Sequence, residues 1–209
     1  MLTLGNYFEN ANNIIPGDDN VNNKNYNKKI KNSLFNNIVS GQLWLGNYKA
    51  ALDPVFIKEN NISVIINCSV DIPFIFDLID PHEYGISKLE TYRIPVYDSL
   101  LEHDIYIMEQ YLHKVLPFIF KKLLKEKKNV FIGCHAGKQR SACVMAAVLY
   151  VLIDNNLMSF HDKIDYTKDK GKLMKKVIEY IRLKRPCAFS WGLRVNFKES
   201  LQRFFNIKF

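Results

Sequence analysis

From residue 38 onward, short runs of β-branched and other apolar residues alternate with longer segments of helical periodicity. The runs have the length of strands and cover residues 42–46, 62–68, 91–96 and 129–132. The helical segments cover residues 54–60, 103–128, 141–154, 172–184 and the chain after 196. Strands that alternate with helices favour a mostly parallel sheet covered by helices on both faces. The pattern therefore predicts an α/β fold, with ligand-binding loops at the carboxyl ends of the strands.

Residues 1–37 differ from the rest, because they contain 12 asparagines and few periodic apolar positions. This composition is typical of a tail or a loosely attached arm. We therefore predict an Asn-rich arm over residues 1–37 and one domain over residues 38–209. A few apolar side chains could anchor the arm on a second copy of the chain, which makes a homodimer a hypothesis: Tyr7, Phe8, Ile14 and Ile15.

Composition and charge narrow the classes of protein. The chain has 209 residues, of which 48% are hydrophobic, enough for one domain with an appendage. A net charge of +8 permits anionic partners such as nucleic acid, acidic lipid or phosphorylated protein, although most of the basic residues are lysines scattered over helices. The longest apolar run, residues 142–153, is shorter than the about 20 residues of a membrane span. With no secretory signal and no C-x-x-C pair, we expect an intracellular, cytoplasmic or nuclear protein.

The candidate chemistry lies in residues 129–141, NVFIGCHAGKQRS, where a strand, a loop of small residues and an apolar helix follow one another. Cys134 stands at the end of the strand and Arg140 at the start of the helix. A loop at a helix N-terminus directs backbone N–H groups inward, where they bind anions, including the thiolate form of a cysteine. The guanidinium of Arg140 suits two phosphate oxygens, and Gly137 permits a close backbone approach. The pattern predicts a nucleophilic sulfur beneath a bound phosphate.

Residues 134–141, CHAGKQRS, resemble the Cys-x-x-Gly-x-x-Arg-Ser/Thr signature of cysteine-dependent protein tyrosine phosphatases. Further segments look like the dual-specificity branch of that superfamily, in the same order along the chain: residues 41–46, 50–51, 61–67, 93–98, 140–150, 158–159, 185–186 and 196–197. The resemblance covers roughly residues 38–207. It implies a protein-tyrosine-phosphatase-like fold, phosphorylated protein as substrate, and no cofactor or metal.

The resemblance also implies a role for each matching residue. Cys134 is the expected nucleophile, Arg140 the phosphate-binding arginine, and Ser141 the hydroxyl that stabilises the departing thiolate. Asp98 is the expected general acid, although Asp104 is near in sequence. The loop is expected to hold the phosphate through the following residues: His135, Ala136, Gly137, Lys138, Gln139 and Arg140. The charged side chains within it could add positive charge to the pocket mouth or point into solvent: those of His135 and Lys138.

The sequence departs from the family pattern at two places, and each departure leads to a prediction. Gly133 replaces the usual histidine before the nucleophile, which predicts slower catalysis but not a lost nucleophile. Residues 160–172 look like a local insertion, expected to form an exposed loop or an extended helix start. Cys68, at the end of a strand near the loop, is either a core cysteine or a partner for a reversible disulfide with Cys134, as in some relatives.

The activity implied is hydrolysis of phosphotyrosine and phosphoserine or phosphothreonine through a phosphocysteine intermediate. Alternatives on the same fold are an RNA 5′-phosphatase, a phosphoinositide phosphatase, or a catalytically weak pseudophosphatase that binds phosphorylated partners. Residues after Arg140 fit the protein-phosphatase branch better than the first two, so nucleic acid is a less favoured partner. A P-loop nucleoside triphosphatase is rejected, because three residues separate Gly133 and Gly137 and Gln139 follows the lysine.

Overall fold

The computed structural model describes residues 10–15, 34–36, 41–99, 101–160, 166, 168–189 and 196–209. Strands within these residues are β1 (Ala11–Ile15), β2 (Leu34–Asn36), β3 (Leu43–Asn47), β4 (Ile62–Asn67), β5 (Glu90–Arg93), β6 (Asn129–Cys134) and β7 (Met158–Phe160). Five of them form one sheet in the order β1-β3-β6-β4-β5, in which only β1 is antiparallel to its neighbour. β2 and β7 form a separate antiparallel pair. The mostly parallel sheet predicted from the sequence is confirmed.

Seven α-helices occur among the described residues: α1 (Tyr48–Ala51), α2 (Pro54–Glu59), α3 (Pro81–Tyr84), α4 (Glu102–Phe120), α5 (Arg140–Asp154), α6 (Lys170–Lys184) and α7 (Lys198–Phe205). A 3-10 turn (Ile75–Asp77) precedes α3, and a π-helical turn (Lys121–Lys125) follows α4. α2 begins as predicted, because the Asp53 carboxylate accepts hydrogen bonds from the Val55 and Phe56 N–H groups (2.9 and 3.1 Å). No helix in the described ranges combines the length and apolarity needed to cross a bilayer.

The two faces of the sheet have separate hydrophobic cores. On one face, alternate residues of β4 and β6 pack with helices α4 to α7, and 13 of the 15 residues of α5 are buried. On the other face, Ile65 and Phe131 pack with Phe56 and Ile57 of α2. The long apolar segment read from the sequence is therefore the central helix of the larger core. It begins directly after the Cys134–Arg140 loop, so burial of α5 fixes the position of that loop.

The helix predicted over residues 103–128 is shorter than expected. α4 ends at Phe120, whereas Pro117 lies inside it without breaking it. Proline removes one N–H and leaves the carbonyl four residues earlier, that of His113, without its helical donor. Both residues are exposed, so water can satisfy that carbonyl. The chain changes from α-helical to π-helical geometry at Lys121 and stays helical to Lys125, three residues short of the predicted end.

Part of the N-terminal segment belongs to the sheet. β1 pairs with β3, with Asn12 opposite Leu45, and the side chains of Ile14 and Ile15 are fully buried. The Tyr180 hydroxyl of α6 donates to the Ile14 carbonyl (2.7 Å). The central sheet thus begins before the predicted boundary at residue 38. Tyr7 and Phe8 lie outside the described residues.

Of the predicted insertion, the structure describes residues 160, 166 and 168–172. Phe160, 8% exposed, ends β7 and packs in the larger core. α6 begins at Lys170, two residues earlier than predicted, and the Asp169 carboxylate accepts from the Lys172 N–H (3.0 Å) as its N-cap. Residues 161–165 and 167 lie outside the described residues.

A cluster of four charged side chains joins β5 to the segment between α4 and β6. Lys122, whose side chain is only 8% exposed, contacts Glu90 (2.6 Å) and Glu126 (2.9 Å), and Lys128 contacts both carboxylates as well. Hydrogen bonds from Lys122 and Lys128 lower the pKa of Glu126 to about 2 and also lower the pKa of Glu90. The two lysines therefore favour the charged form of both carboxylates.

This cluster predicts acid sensitivity. Glu126 has a lower pKa in the folded chain than in the unfolded chain, so its contribution is present above about pH 4.3 and is lost as pH falls toward its folded pKa of about 2. Glu126→Gln should lower the melting temperature at pH 7 and flatten its decline between about pH 4.5 and 2. Calorimetry across this range tests it, with the exposed Glu59→Gln as control. Parallel melting curves for wild type and Glu126→Gln would contradict the expectation.

Candidate active site

The predicted nucleophile lies at the bottom of the loop that joins β6 to α5. Cys134 is 2% exposed. Its Sγ accepts hydrogen bonds from the Ser141 hydroxyl (3.1 Å) and from the Gly137 N–H (3.3 Å). Both donors therefore face the atom on which an attacking or departing thiolate carries its charge.

The peptide planes of the loop share one orientation. Four successive carbonyl oxygens accept hydrogen bonds from groups outside the loop: His135 from Tyr48 N (3.4 Å), Ala136 and Gly137 from the Arg185 guanidinium (3.1 and 2.8 Å), and Lys138 from Phe189 N (2.8 Å). The described chain contains no cis peptide, so each following N–H points the opposite way. The Gly137 N–H, which reaches Sγ, shows that this direction is the inside of the loop. Inward N–H groups form an anion-binding concavity.

Gly137 is needed at its position for two reasons. Its φ of +67° lies in the left-handed region that side chains disfavour. A Cβ there would lie 2.7 Å from both the Arg185 Nη2 and the Gly46 carbonyl. The glycine of the loop therefore permits both the turn and the approach of the arginine behind it.

Arg140 brings the predicted acid to the loop. Its guanidinium is buried and donates through Nη1 to the Val96 carbonyl (3.1 Å), and its Nη2 lies 3.4 Å from the Asp98 carboxylate. The Arg140 Nε is buried and has no hydrogen-bond partner within the described residues. Leaving such a donor unsatisfied costs about 1–3 kcal/mol, which a phosphate oxygen would recover.

The structure separates the two candidate acids. The Asp98 side chain is 41% exposed beside Arg140. Asp104 is 3% exposed and accepts a short hydrogen bond from the Ser99 hydroxyl, which itself accepts from the Leu101 N–H (3.2 Å). Asp104 therefore anchors the loop that carries Asp98, a structural role that the sequence did not reveal.

The remaining loop side chains differ in their exposure. His135 and Lys138 are exposed, whereas Ala136 and Gln139 are half-buried. The His135 ring stacks at a tilt on Tyr48, with 5.0 Å between ring centroids. The aromatic ring of Tyr48 thus borders the loop, and no sequence signal singled it out.

Cys68 lies beside the nucleophile in the sheet. Its N–H donates to the Gly133 carbonyl (2.7 Å) and so continues the parallel pairing of β4 with β6. Burial raises the pKa of the Cys68 thiol well above its usual value, and the nearby Cys134 raises it further. Cys68 is thus a buried, protonated thiol next to the site.

The absence of a side chain at Gly133 leaves room for the ring of its neighbour Phe131. A Cβ on Gly133 would lie 2.5 Å from Cε1 of the Phe131 ring. The same ring covers Gly46 of β3, where a Cβ would lie 2.7 Å from it. Phe131 is 1% exposed and packs edge-on against Phe56 (6.0 Å between centroids). The ring therefore fills the space that a histidine at position 133 would need.

This packing predicts that restoring the histidine destabilises the chain. Gly133→His should lower the free energy of unfolding by about 1–3 kcal/mol, because overpacked cores force neighbours to shift. Phe131→Leu in the same chain should remove part of that loss. Urea denaturation of both single variants and of the double variant gives the coupling energy. Additive losses, with no coupling between positions 131 and 133, would show that the ring does not exclude the histidine.

The described residues thus bring together a sulfur nucleophile, inward N–H donors, a buried guanidinium and an exposed carboxylate. The site is formed by Cys134, Ser141, Arg140 and Asp98. Asp104 instead accepts the structural hydrogen bond from Ser99. Within the described residues, no group of three or more His, Cys, Asp or Glu side chains could hold a metal ion. The arrangement can bind a phosphate monoester and place its phosphorus against sulfur.

Comparison with known proteins identifies the family of this chain. The model of the dual specificity phosphatase catalytic domain matches residues 43–186. The MAP kinase phosphatase with leucine-rich repeats protein 1 of Dictyostelium discoideum is 28% identical over 135 residues, which are 65% of this chain and 14% of that protein. This chain therefore spans only a small part of that relative.

Solved structures show the same fold at low identity. A mouse putative dual specificity phosphatase complexed with zinc tungstate aligns with a TM-score of 0.55 and 19% identity, over 78% of this chain and 80% of that one. The human tyrosine phosphatase-like serine/threonine/tyrosine-interacting protein aligns with a TM-score of 0.54 and 19% identity, over 81% and 94%. With the family model matching more than half of its length, this chain belongs to the dual-specificity phosphatase family.

Proposed function

We propose that this chain hydrolyses phosphotyrosine and phosphoserine or phosphothreonine in proteins through a phosphocysteine intermediate on Cys134. Its family and fold support protein phosphatase activity. The observation that carries the proposed mechanism is the buried Cys134 Sγ with two hydrogen-bond donors, in a loop that ends at the Arg140–Asp98 contact.

The proposed reaction has two steps. In the first, the Cys134 thiolate attacks phosphorus, the bond from phosphorus to the substrate oxygen breaks, and Asp98 gives its proton to that oxygen. In the second, Asp98 takes a proton from water, the water oxygen attacks phosphorus, and the sulfur–phosphorus bond breaks. The Ser141 hydroxyl stabilises the thiolate that leaves. Arg140 and the inward N–H groups bind the phosphoryl oxygens throughout.

The direct test is hydrolysis of p-nitrophenyl phosphate and of matched phosphotyrosine, phosphoserine and phosphothreonine peptides by the full chain. We expect turnover of the aryl ester and of both peptide classes without added metal. Turnover of phosphotyrosine alone would restrict the proposal to tyrosine phosphatase activity. Preference for RNA 5′-phosphate or a phosphoinositide over every peptide would overturn it.

The second candidate is a protein that binds phosphorylated partners with little or no turnover. Gly133 favours it, because the family histidine that orders the loop is replaced and Phe131 occupies its space. Binding of a phosphopeptide without its hydrolysis would support this candidate. The Gly133→His, Phe131→Leu double variant should then turn over substrate faster than wild type.

We also propose that Cys68 protects Cys134 through a reversible disulfide. A peroxide would oxidise the Cys134 thiolate to a sulfenic acid, which the Cys68 sulfur would attack with release of water. The parallel pairing supports this, because neighbouring strands lie about 4.8 Å apart and disulfides span Cα distances of about 4.4–6.8 Å. All four cysteines are free in the structure.

This redox proposal predicts recovery of activity. Wild type treated with peroxide should regain activity with dithiothreitol. Cys68→Ser should lose its activity irreversibly, because the sulfenic acid on Cys134 then oxidises further. Mass spectrometry of non-reduced peptides identifies the linked pair, with Cys187→Ser as control. Equal recovery of Cys68→Ser and wild type would reject Cys68 as partner.

Self-association through the N-terminal segment stays a prediction. Ile14 and Ile15 are buried within their own chain, so they are not available to a second copy. Any such contact would have to use other residues of the segment, such as Tyr7 and Phe8. Light scattering of the full chain and of Tyr7→Ser, Phe8→Ser decides the question: two monomeric masses would exclude the dimer.

A further inference from the structure

One buried arginine connects the N-terminal strand to the catalytic loop. Arg185 is 3% exposed. Its Nε donates to the Gly137 carbonyl (2.8 Å), its Nη2 to the Ala136 carbonyl (3.1 Å), and its Nη1 to the Oδ1 of Asn12 in β1 (2.8 Å). One rigid guanidinium therefore binds two consecutive peptide groups of the loop and one side chain of the edge strand.

The two carbonyls held by Arg185 decide which way their peptide groups face. Because each peptide is planar, an outward carbonyl turns the next N–H inward, and the Gly137 N–H reaches Sγ in this way. If the guanidinium shifted, these carbonyls would lose their donor and could turn toward a bound anion, which they would repel. The orientation of the guanidinium therefore matters for phosphate binding.

The Asn12 side chain accepts the hydrogen bond from the remaining nitrogen of that guanidinium, Nη1. β1 is held by its pairing with β3 and by the Tyr180 hydroxyl, so the backbone that carries the Asn12 side chain is fixed in position. Asn13, the next residue, faces the other way along the strand, and its amide donates to Gln42 (3.3 Å). Because Arg185 is buried, few water molecules could replace a lost partner.

We propose that Asn12 is a positioning residue for the phosphate-binding loop, acting through Arg185. The proposal rests on the proposed phosphatase function for its kinetic consequence, but its binding consequence does not require turnover. It gives a role to a segment whose composition alone indicates only a polar arm.

The test uses the full chain with Asn12→Ala, Asn12→Asp, which keeps an oxygen acceptor, and Asn13→Ala as the matched control. We expect Asn12→Ala to lower kcat/KM for p-nitrophenyl phosphate about ten-fold, mainly through kcat, and to weaken tungstate binding by a similar factor in calorimetry. Asn12→Asp should recover most of both. Asn13→Ala should match wild type in both, even where its melting temperature falls.

Two results would overturn the proposal. One is equal kcat/KM and equal tungstate affinity in Asn12→Ala and Asn13→Ala. The other is a failure of Asn12→Asp to recover either quantity while the chain stays folded by circular dichroism. If wild type binds tungstate but hydrolyses nothing, the proposed catalysis fails while the tungstate comparison still decides the role of Asn12.

Discussion

Cys134→Ser is expected to abolish hydrolysis of p-nitrophenyl phosphate. A serine hydroxyl in this place has no general base beside it, because the Cys134 Sγ contacts two hydrogen-bond donors, Ser141 and the Gly137 N–H. We expect a loss of at least about four orders of magnitude, the scale seen when a covalent nucleophile is removed. Steady-state rates at a high enzyme concentration, with substrate still in excess, measure it.

The matched control is Cys143→Ser, which alters another buried cysteine of the same core. Cys143 Sγ donates to the Phe197 carbonyl (3.5 Å), a contact that a serine hydroxyl can keep. This variant should retain wild-type kcat, and Cys134→Ser should still bind tungstate because the N–H groups and Arg140 remain. Substantial turnover by Cys134→Ser would contradict the account of this site.

The second large effect is expected for Asp98→Asn on substrates with poor leaving groups. Without a proton donor, the serine alkoxide of a phosphoserine peptide leaves slowly, so kcat should fall by about 10²–10⁴. The loss should be smaller for p-nitrophenyl phosphate, since nitrophenolate leaves without protonation.

Asp104→Asn distinguishes an acid from a loop anchor. Asp104 accepts from Ser99 and is buried, so its variant should lower the melting temperature and should lower kcat by a similar factor for the phosphoserine peptide and for p-nitrophenyl phosphate. If Asp104→Asn instead lost far more activity on the phosphoserine peptide than on p-nitrophenyl phosphate, and Asp98→Asn did not, the roles of the two carboxylates would be exchanged.

Much of the fold follows from local patterns. β4 and β6 were predictable because β-branched runs of strand length have few alternatives in a buried parallel sheet. β5 was predicted too long, because the strand ends at Arg93. The Ile94 N–H still donates to the Asn67 carbonyl of β4 (2.8 Å), and the Val96 carbonyl then accepts from Arg140. β1 was not apparent, because the burial of its two isoleucines depends on β3 and α6, which lie far away in sequence.

The candidate site, like the fold, was predictable only in part from the sequence. The loop was readable because its nucleophile, glycine and arginine lie within seven residues. Of the contacts that support it, only that of Arg185 behind the carbonyls comes from a distant position. Asp104 and Phe131 lie close in sequence to Asp98 and Gly133, but the burial of Asp104 and the place of the Phe131 ring follow from packing in the folded chain, which spacing along the sequence does not show.

The most direct measurement is to trap the phosphoryl group on Cys134. Asp98→Asn is mixed with p-nitrophenyl phosphate, quenched in acid within milliseconds, digested and analysed by mass spectrometry. The first step needs no acid for this leaving group, whereas the second lacks its base, so phosphocysteine should accumulate on the peptide that contains Cys134, with a burst of nitrophenolate. The proposed mechanism would be contradicted if nitrophenolate were released while the phosphoryl group was found on another residue. Release of nitrophenolate with no phosphorylated residue at all would contradict it as well.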